Sequence, residues 1–229
     1  MREFTVAASR RLVAGGLLWV SLIQMLVVNN FVVFPHASSQ DLEAIIISAL
    51  GITRCRDIAG IRFCSPWHEA ADIAWIVGGV CLFLGAVLNA AVFQPGRLRS
   101  WAFGVLAVSG LGLVSSGFTP YNLHPVEHLL FAGVCFVSGA VGVLLLGEML
   151  RRAHHRYWGI SGIVCGAVSL VAALVTAIRP DPRTQGVFER TSAWPTIFWI
   201  IGTGALFIWA AWRARRSSRP LTSVPPGSM

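Results

Sequence analysis

Six stretches of the chain, each 19 to 23 residues long, contain no charged side chain. About 20 mainly apolar residues in a helix are enough to cross the roughly 30 Å hydrocarbon core of a bilayer. Hydropathy therefore predicts six membrane spans: 12–34, 73–93, 101–119, 129–147, 157–178 and 194–212. The predicted fold class is all-α, a polytopic membrane protein that forms a bundle of six transmembrane helices.

The composition agrees with a chain that is surrounded by lipid. Of the 229 residues, 55% are hydrophobic and 12% are charged, whereas a soluble domain usually has about 25% charged residues. All 18 basic residues are arginines. The absence of lysine excludes mechanisms that need a lysine Schiff base, such as a retinal chromophore or pyridoxal chemistry.

The arginines are distributed unevenly over the two ends of the predicted bundle. The end that holds both termini carries 12 of the 18: Arg2, Arg10, Arg11, Arg97, Arg99, Arg151, Arg152, Arg156, Arg213, Arg215, Arg216 and Arg219. By the positive-inside rule this end is cytoplasmic. The net charge of +8 is therefore an orientation signal and does not indicate nucleic acid. We expect a cytoplasmic tail over 1–11, a membrane domain over 12–212, and a basic, disordered cytoplasmic tail over 213–229.

The first outer connection, 35–72, is 38 residues long. Loops of this length are usually structured or functional, and this one could dock a protein partner. Its segment 41–51 predicts a short helix that Gly51 ends in the left-handed conformation.

Two cysteines lie in this loop, Cys55 and Cys64. An outer position places them in an oxidising compartment, which favours a disulfide. A metal-binding pair is the alternative, although the spacing is wider than the two residues of a zinc knuckle.

Histidines are concentrated on the predicted outer face. His124 and His128 are four residues apart, which places both on one side of a helix, and His68 and Asp72 share the same relation. Three such ligands with an open position could hold a zinc ion. Interface histidines that only form hydrogen bonds are the alternative, and zinc is the one cofactor that the sequence suggests.

Further polar residues suggest a binding site at the same end. Arg183, Glu189 and Arg190 lie in or near the last outer loop, where the arginines could bind a lipid phosphate or pair with the acids. A charge at the membrane boundary needs a partner, so we expect Glu189 or Arg190 to contact His124, His128 or Asp72. Asn30, with Asn29 beside it, could complete an outer pocket or bond a neighbouring helix.

Three short segments resemble one family. These are 47–51 (ISALG), 117–120 (GFTP) with His124, and 186–190 (GVFER) with Trp194, Pro195 and Trp199. They look like the bacterial six-span membrane family catalogued as domain of unknown function 998, and more distantly the plan is similar to the eukaryotic Frag1/DRAM/Sfk1-type proteins. The resemblance covers about 12–212 and implies a six-helix bundle in the bacterial plasma membrane with inner termini. His124, Glu189 and Arg190 match the polar signature of the family, and the Cys55–Cys64 segment departs from its usual shorter loop.

Three functions are compatible with these features. The first is a non-catalytic accessory membrane protein whose polar residues serve packing. The second is a membrane-embedded enzyme or lipid-binding protein that acts on a lipid or isoprenoid at the outer leaflet, by protonation-initiated cyclisation or metal-assisted hydrolysis, with His124, Glu189 and Asp72 as catalytic residues. The third, a small-molecule transporter, is disfavoured because no predicted span contains a charge.

Overall fold

In the computed structural model, which describes residues 6–58, 60–153, 155–178 and 181–217, six helices are long and apolar enough to cross a membrane. The prediction of a six-helix bundle is confirmed. The membrane-length helices are Ala8–His36, His68–Ala90, Arg97–Phe118, Pro125–Arg152, Arg156–Ile178 and Gln185–Arg216.

The first span is irregular, and the others are continuous helices. It consists of α1 (Val6–Val20), α2 (Ile23–Val27), a π-helical segment (Val28–Val33) and a 3-10 turn (Phe34–His36). The later helices are α3 (His68–Ala90), α4 (Arg97–Phe118), α5 (Pro125–Arg152), α6 (Arg156–Ile178) and α7 (Gln185–Ser217).

The spans pack as a closed ring. Each helix from α3 to α7 packs against the next along the chain, and α1 packs against both α3 and α7. Because short connections join antiparallel neighbours, the ends of α3 and α5 and the starts of α4 and α6 lie at one end of the ring, and the segment between the first span and α3 lies at the other. We call residues 37–67 the lid and the two ends of the bundle the lid end and the arginine-rich end.

The lid is packed onto the bundle as part of its core. Ile45, Ile52 and Phe63 are fully buried in the lid, in one apolar cluster with Val33 of the first span and Trp75 of α3. A second apolar cluster, which includes Trp19, Leu106, Leu146 and Phe207, fills the ring further from the lid. Burial of large apolar side chains therefore fixes the lid over the ring interior.

The lid contains a short disulfide-closed hairpin. Strand β1 (Arg56–Ile58) pairs antiparallel with β2 (Ile61–Phe63), and Gly60 adopts a φ of +79° at the turn. Cys55 and Cys64 flank the paired residues and form a disulfide, with their Cα atoms 4.2 Å apart. The disulfide prediction is confirmed.

The helix predicted over 41–51 was wrong. A 3-10 helix covers only Ile47–Gly51, and no left-handed residue ends it, since its next residue, Ile52, is extended. The carbonyls that an α-helix would use are bonded elsewhere: those of Leu42 and Ile45 accept from Arg190, and that of Glu43 accepts from the Gly186 N–H. Contacts with α7 therefore replace local helical hydrogen bonds.

The last helix begins earlier and ends later than hydropathy predicted. It starts at Gln185 rather than 194, because its first turns carry charges that a hydropathy window excludes. It continues through Pro195, which has no N–H to donate to the Thr191 carbonyl, and the Ser169 hydroxyl of α6 donates to that carbonyl instead. Residues 213–217 of the predicted tail are helical. The rest of that tail and residues 1–5 lie outside the described residues.

We expect the double substitution Cys55→Ser with Cys64→Ser to loosen the hairpin. In the chain-entropy model, loss of a ring this small costs roughly 2.5 to 3 kcal/mol. Hydrogen exchange of the β1 and β2 amides in the membrane-embedded protein measures this loss. Cys165→Ala, at a free cysteine in α6, is the control. Equal exchange in both variants would show that packing alone holds the hairpin.

Candidate functional site

A cavity of ≈ 80 Å³ lies inside the ring beneath the lid. Its walls come from α1–α2 and the π-helical segment, from α3, α4, α5 and α7, and from the lid residues Ile47 and Ser48. Along α7 the lining runs from Glu189 to Ile200, which at roughly 1.5 Å per residue is about 16 Å. This length equals about half of the roughly 30 Å thickness of a hydrocarbon core.

Glu189 closes the lid end of this cavity. Its carboxylate is buried, with 6% of the residue exposed. The Ile47 N–H donates to Oε2, and the Ser48 hydroxyl lies 2.8 Å from Oε1. A buried carboxylate is tolerated only where hydrogen bonds compensate its lost hydration, and here the lid supplies them.

His128 is bonded to the same serine. Its Nε2 lies 2.9 Å from Ser48 Oγ, and its Nδ1 lies 2.7 Å from the Thr119 carbonyl oxygen. The ring is 1% exposed, with the aromatic rings of Trp75 and Tyr121 about 6 Å away. Ser48 thus connects α5 to α7 through the lid.

Three hydrogen bonds link Thr119 to Glu189 by way of His128 and Ser48, and each of them needs one hydrogen atom. A neutral His128 and the Ser48 hydroxyl together supply two hydrogen atoms. The third is either on Nε2 of a protonated His128 or on the Glu189 carboxyl. Transfer of the Nε2 proton to Ser48 Oγ, together with transfer of the Ser48 hydroxyl proton to Glu189, interconverts the two arrangements, so the cluster can hold and relay one proton.

Arg190 fastens the preceding segment of the lid. Its Nη1 lies 3.0 Å from the Leu42 carbonyl oxygen and 2.6 Å from that of Ile45. The guanidinium also lies 5.6 Å from the ring centroid of Phe34 and 5.9 Å from that of Trp194. Glu189 therefore accepts hydrogen bonds from the lid, and the next residue of α7, Arg190, donates hydrogen bonds to it.

Two glycines allow this close approach. A Cβ at Gly186 would lie 2.6 Å from the carbonyl oxygens of both Leu42 and Ile45. A Cβ at Gly51 would lie 2.3 Å from Asp72 Oδ1. Side chains at either position would separate the lid from the helices.

The predicted cluster of histidines and acids is only partly assembled. Neither Glu189 nor Arg190 forms a direct hydrogen bond with His128, because Ser48 bridges Glu189 to it. His124 is exposed at the start of α5. His68 is half-buried, with Nδ1 3.1 Å from the Ser65 carbonyl oxygen.

Three other predicted site residues lie outside the cavity lining. Asp72 lies against Gly51, and its Oδ1 has no hydrogen-bond partner within the part of the chain that the structure describes. Asn30 donates to the Leu26 carbonyl of its own helix at 2.8 Å. Its neighbour Asn29 lines the cavity. Arg183 is exposed in the loop before α7.

The predicted zinc site of His68, His124 and His128 stays a prediction. Among the described residues, no three histidine, cysteine or acidic side chains are grouped so that they could hold a metal ion. Both ring nitrogens of His128 already have hydrogen-bond partners.

Sequence reasoning missed Ser48 and Thr119 as members of this hydrogen-bonded cluster. A signal existed for both, since 47–51 and 117–120 are segments on which the family resemblance was based. The segments 47–51 and 186–190 meet at the bond between Ser48 and Glu189, and His128 connects them to Thr119. Asn29 was already considered, together with Asn30, as part of an outer pocket.

The arrangement differs from that of a serine nucleophile. In a hydrolase triad the acid contacts the histidine, whereas here Glu189 and His128 are both bonded to the serine. The nearby Ile47 N–H, a potential oxyanion donor, is already bonded to Glu189. The geometry favours a hydrogen-bonded connection that can also relay a proton.

We expect Glu189→Gln to loosen the lid, because the amide offers one acceptor oxygen where the carboxylate offers two, to the Ile47 N–H and the Ser48 hydroxyl. Loss of hydrogen bonds to a buried charged group costs about 1.5 to 3 kcal/mol, so exchange of the Ile47 and Ser48 amides should accelerate about 10- to 100-fold. Glu43→Gln, at an exposed acid of the lid, is the matched control. Unchanged exchange in Glu189→Gln would exclude this role.

Comparison with known proteins identifies the family of this chain but no individual relative. We found no significant match among curated proteins or among solved structures. A family model described as "protein of unknown function (DUF998)" matches residues 13–216. Since the match covers nearly all of the bundle and its lid, the chain belongs to the DUF998 family, an uncharacterised family of which this member is a multi-pass integral membrane protein.

Proposed function

We propose that this protein binds an amphiphilic lipid in the cavity beneath its lid. The observation that carries the proposal is the combination of a mainly apolar cavity at membrane depth with a hydrogen-bonded polar cluster at its lid end. Lipid-binding sites need both features, because the chain is stabilised by apolar contact and the headgroup by a few placed polar atoms.

The depth of the cavity suits one acyl or isoprenyl chain, and its volume of ≈ 80 Å³ has to increase when a whole chain enters. Its lining covers about 16 Å of depth, close to the thickness of one leaflet. Leu22, Leu82 and Ile200 line its apolar part. A chain bound there would lie parallel to the helices, with its headgroup toward the lid.

The charges at the lid end do more than orient the protein in the membrane. Glu189 and His128 border the cavity, and Arg190 lies beside Glu189. Charges that served only to orient the protein would be expected at its exposed ends. The same proposal extends to an enzymatic activity, in which the polar cluster would transfer its proton to the bound lipid.

An accessory role, in which the lid docks a protein partner, is the second candidate. It is favoured by two apolar side chains that the lid exposes, Leu42 at 45% and Trp67 at 51%. A partner could cover them without any ligand in the cavity.

The proposal includes an orientation. With the arginine-rich end in the cytoplasm of a bacterial cell, the lid would face the outside of the plasma membrane. The cavity would then open to lipids of the outer leaflet.

We expect Ala132→Leu to exclude lipid chains from the cavity. Ala132 is a buried lining residue of α5, and displacement of two methylene groups costs roughly 1.6 kcal/mol. Labelling of lining peptides by a photoreactive dodecyl amphiphile in nanodiscs should fall about tenfold. Gly133→Leu, where a side chain meets nothing within 4 Å, is the matched control.

Two further results decide the test. Ala193→Leu fills the same cavity from α7 and replaces Ala132→Leu if that variant does not fold. If the wild-type lining is not labelled, or if the cavity-filling and control variants are labelled equally, the lipid-binding proposal is wrong.

A further inference from the structure

Aromatic side chains mark where the arginine-rich end of the bundle meets the membrane surface. Four large aromatic residues of this end are at least 48% exposed: Trp101 at the start of α4, Tyr157 at the start of α6, and Trp209 and Trp212 near the end of α7. Tryptophan and tyrosine are enriched where the hydrocarbon core meets the lipid headgroups. The last two turns of α7 therefore lie at headgroup depth.

Two arginines of α7 are stacked on these tryptophans. The guanidinium of Arg213 lies 4.2 Å from the ring centroid of Trp209, and that of Arg216 lies 3.6 Å from the ring centroid of Trp212. Helical side chains point back toward the N-terminus, so each arginine reaches the ring four positions earlier. Their spacing puts all four residues on one face of the helix. The aromatic rings thus hold both guanidinium groups at the membrane surface.

The start of α1 brings further positive charge to the end of α7. The Arg215 Nε–H donates to Ser9 Oγ at 2.7 Å, which joins the last helix to the first. Arg10 and Arg11 follow this serine, and both are exposed. Five exposed arginines therefore lie within two residues of the bonded pair along the chain. Like charges at such separations repel one another, so an anion that lies among them is attracted.

Little of the negative charge that these arginines need comes from the protein. Glu148 is the one acid of this end among the described residues, and it is bonded to two arginines of its own helix. Within the part of the chain that the structure describes, Arg10, Arg11 and Arg216 form no ion pair. Guanidinium groups bind phosphate through two parallel hydrogen bonds. A phosphate group at headgroup depth matches this surface in both charge and geometry.

We propose that the end of α7, from Trp209 to Arg216, binds an anionic phospholipid beside the start of α1. Arg213 and Arg216 bind its phosphate, and the glycerol and the first methylene groups lie against the exposed tryptophans. A zwitterionic phospholipid binds less strongly, because its ammonium group would lie among the arginines. The site is at the opposite end of the bundle from the lid and is independent of the lipid-binding cavity proposed above.

Photolabelling with two lipids that differ only in their headgroup tests this assignment. Photoreactive phosphatidylglycerol or phosphatidylcholine is added to the full-length protein in phosphatidylcholine nanodiscs, and labelling within 205–216 is measured by mass spectrometry of chymotryptic peptides. Each arginine near the surface contributes a factor of about five. We therefore expect phosphatidylglycerol to label this segment at least about 25-fold more than phosphatidylcholine. Arg213→Gln with Arg216→Gln should lower this preference about 25-fold.

A matched variant separates a local site from the general positive charge of this end. Arg97→Gln with Arg156→Gln removes two exposed arginines at the starts of α4 and α6, and the preference within 205–216 should stay within about twofold of wild type. Arg216→Gln alone, at an exposed position in the last turn of α7, should lower the preference about fivefold. This single variant replaces the double variant of α7 if the latter does not fold.

Three results would overturn the assignment. The first is equal labelling of the wild-type segment by the two lipids. The second is an equal loss of preference in the α7 variant and in its matched control, because the charge would then act diffusely. The third is a segment that neither lipid labels, because its arginines would then face a partner other than the membrane, such as an acidic protein.

Discussion

Glu189 accepts hydrogen bonds from the Ile47 N–H and the Ser48 hydroxyl, and the organisation of the lid end depends on this contact. The carboxylate belongs to the last helix, and both donors belong to a loop more than a hundred residues earlier in the chain. The hydrogen bonds therefore close the ring over the cavity. Without them the lid would be held at this point by apolar contact alone, and Ser48 would lose the position from which it reaches His128.

The membrane explains why the charges are placed on α7. Irregular backbone near bilayer depth is tolerated only when its polar groups are satisfied within the protein. Arg190 accomplishes this for the Leu42 and Ile45 carbonyls, and Glu189 for the Ile47 amide. The hydrogen bonds of Glu189 and Arg190 are therefore directed to the backbone of the lid. A salt bridge alone would have left these lid groups unsatisfied.

Much of the architecture could be predicted because lipid imposes a simple rule on composition. Spans are long and uncharged, arginines concentrate at one end, and the cysteine pair in the lid forms a disulfide. The start of α7 could not be predicted this way, since Glu189 and Arg190 lower its hydropathy although they are buried.

The site required information that local sequence does not contain. Asn29 and Asn30 are identical in type, and only the folded structure shows that Asn29 lines the cavity while Asn30 bonds to the Leu26 carbonyl. Ser48 resembles any loop serine until the lid is folded onto α7. Histidine spacing predicted a shared role for His124 and His128, but the first lies at the exposed start of the helix and the second is buried one turn later.

The most direct measurement is a double-mutant cycle between Ser48 and Glu189. The free energy of unfolding in a lipid environment is measured for wild type, Ser48→Ala, Glu189→Gln and the double variant. If their hydrogen bond holds the lid, the coupling energy should be about 1.5 to 3 kcal/mol, the range for a hydrogen bond to a charged group. A coupling energy within about 0.5 kcal/mol of zero, as for independent sites, would contradict the account.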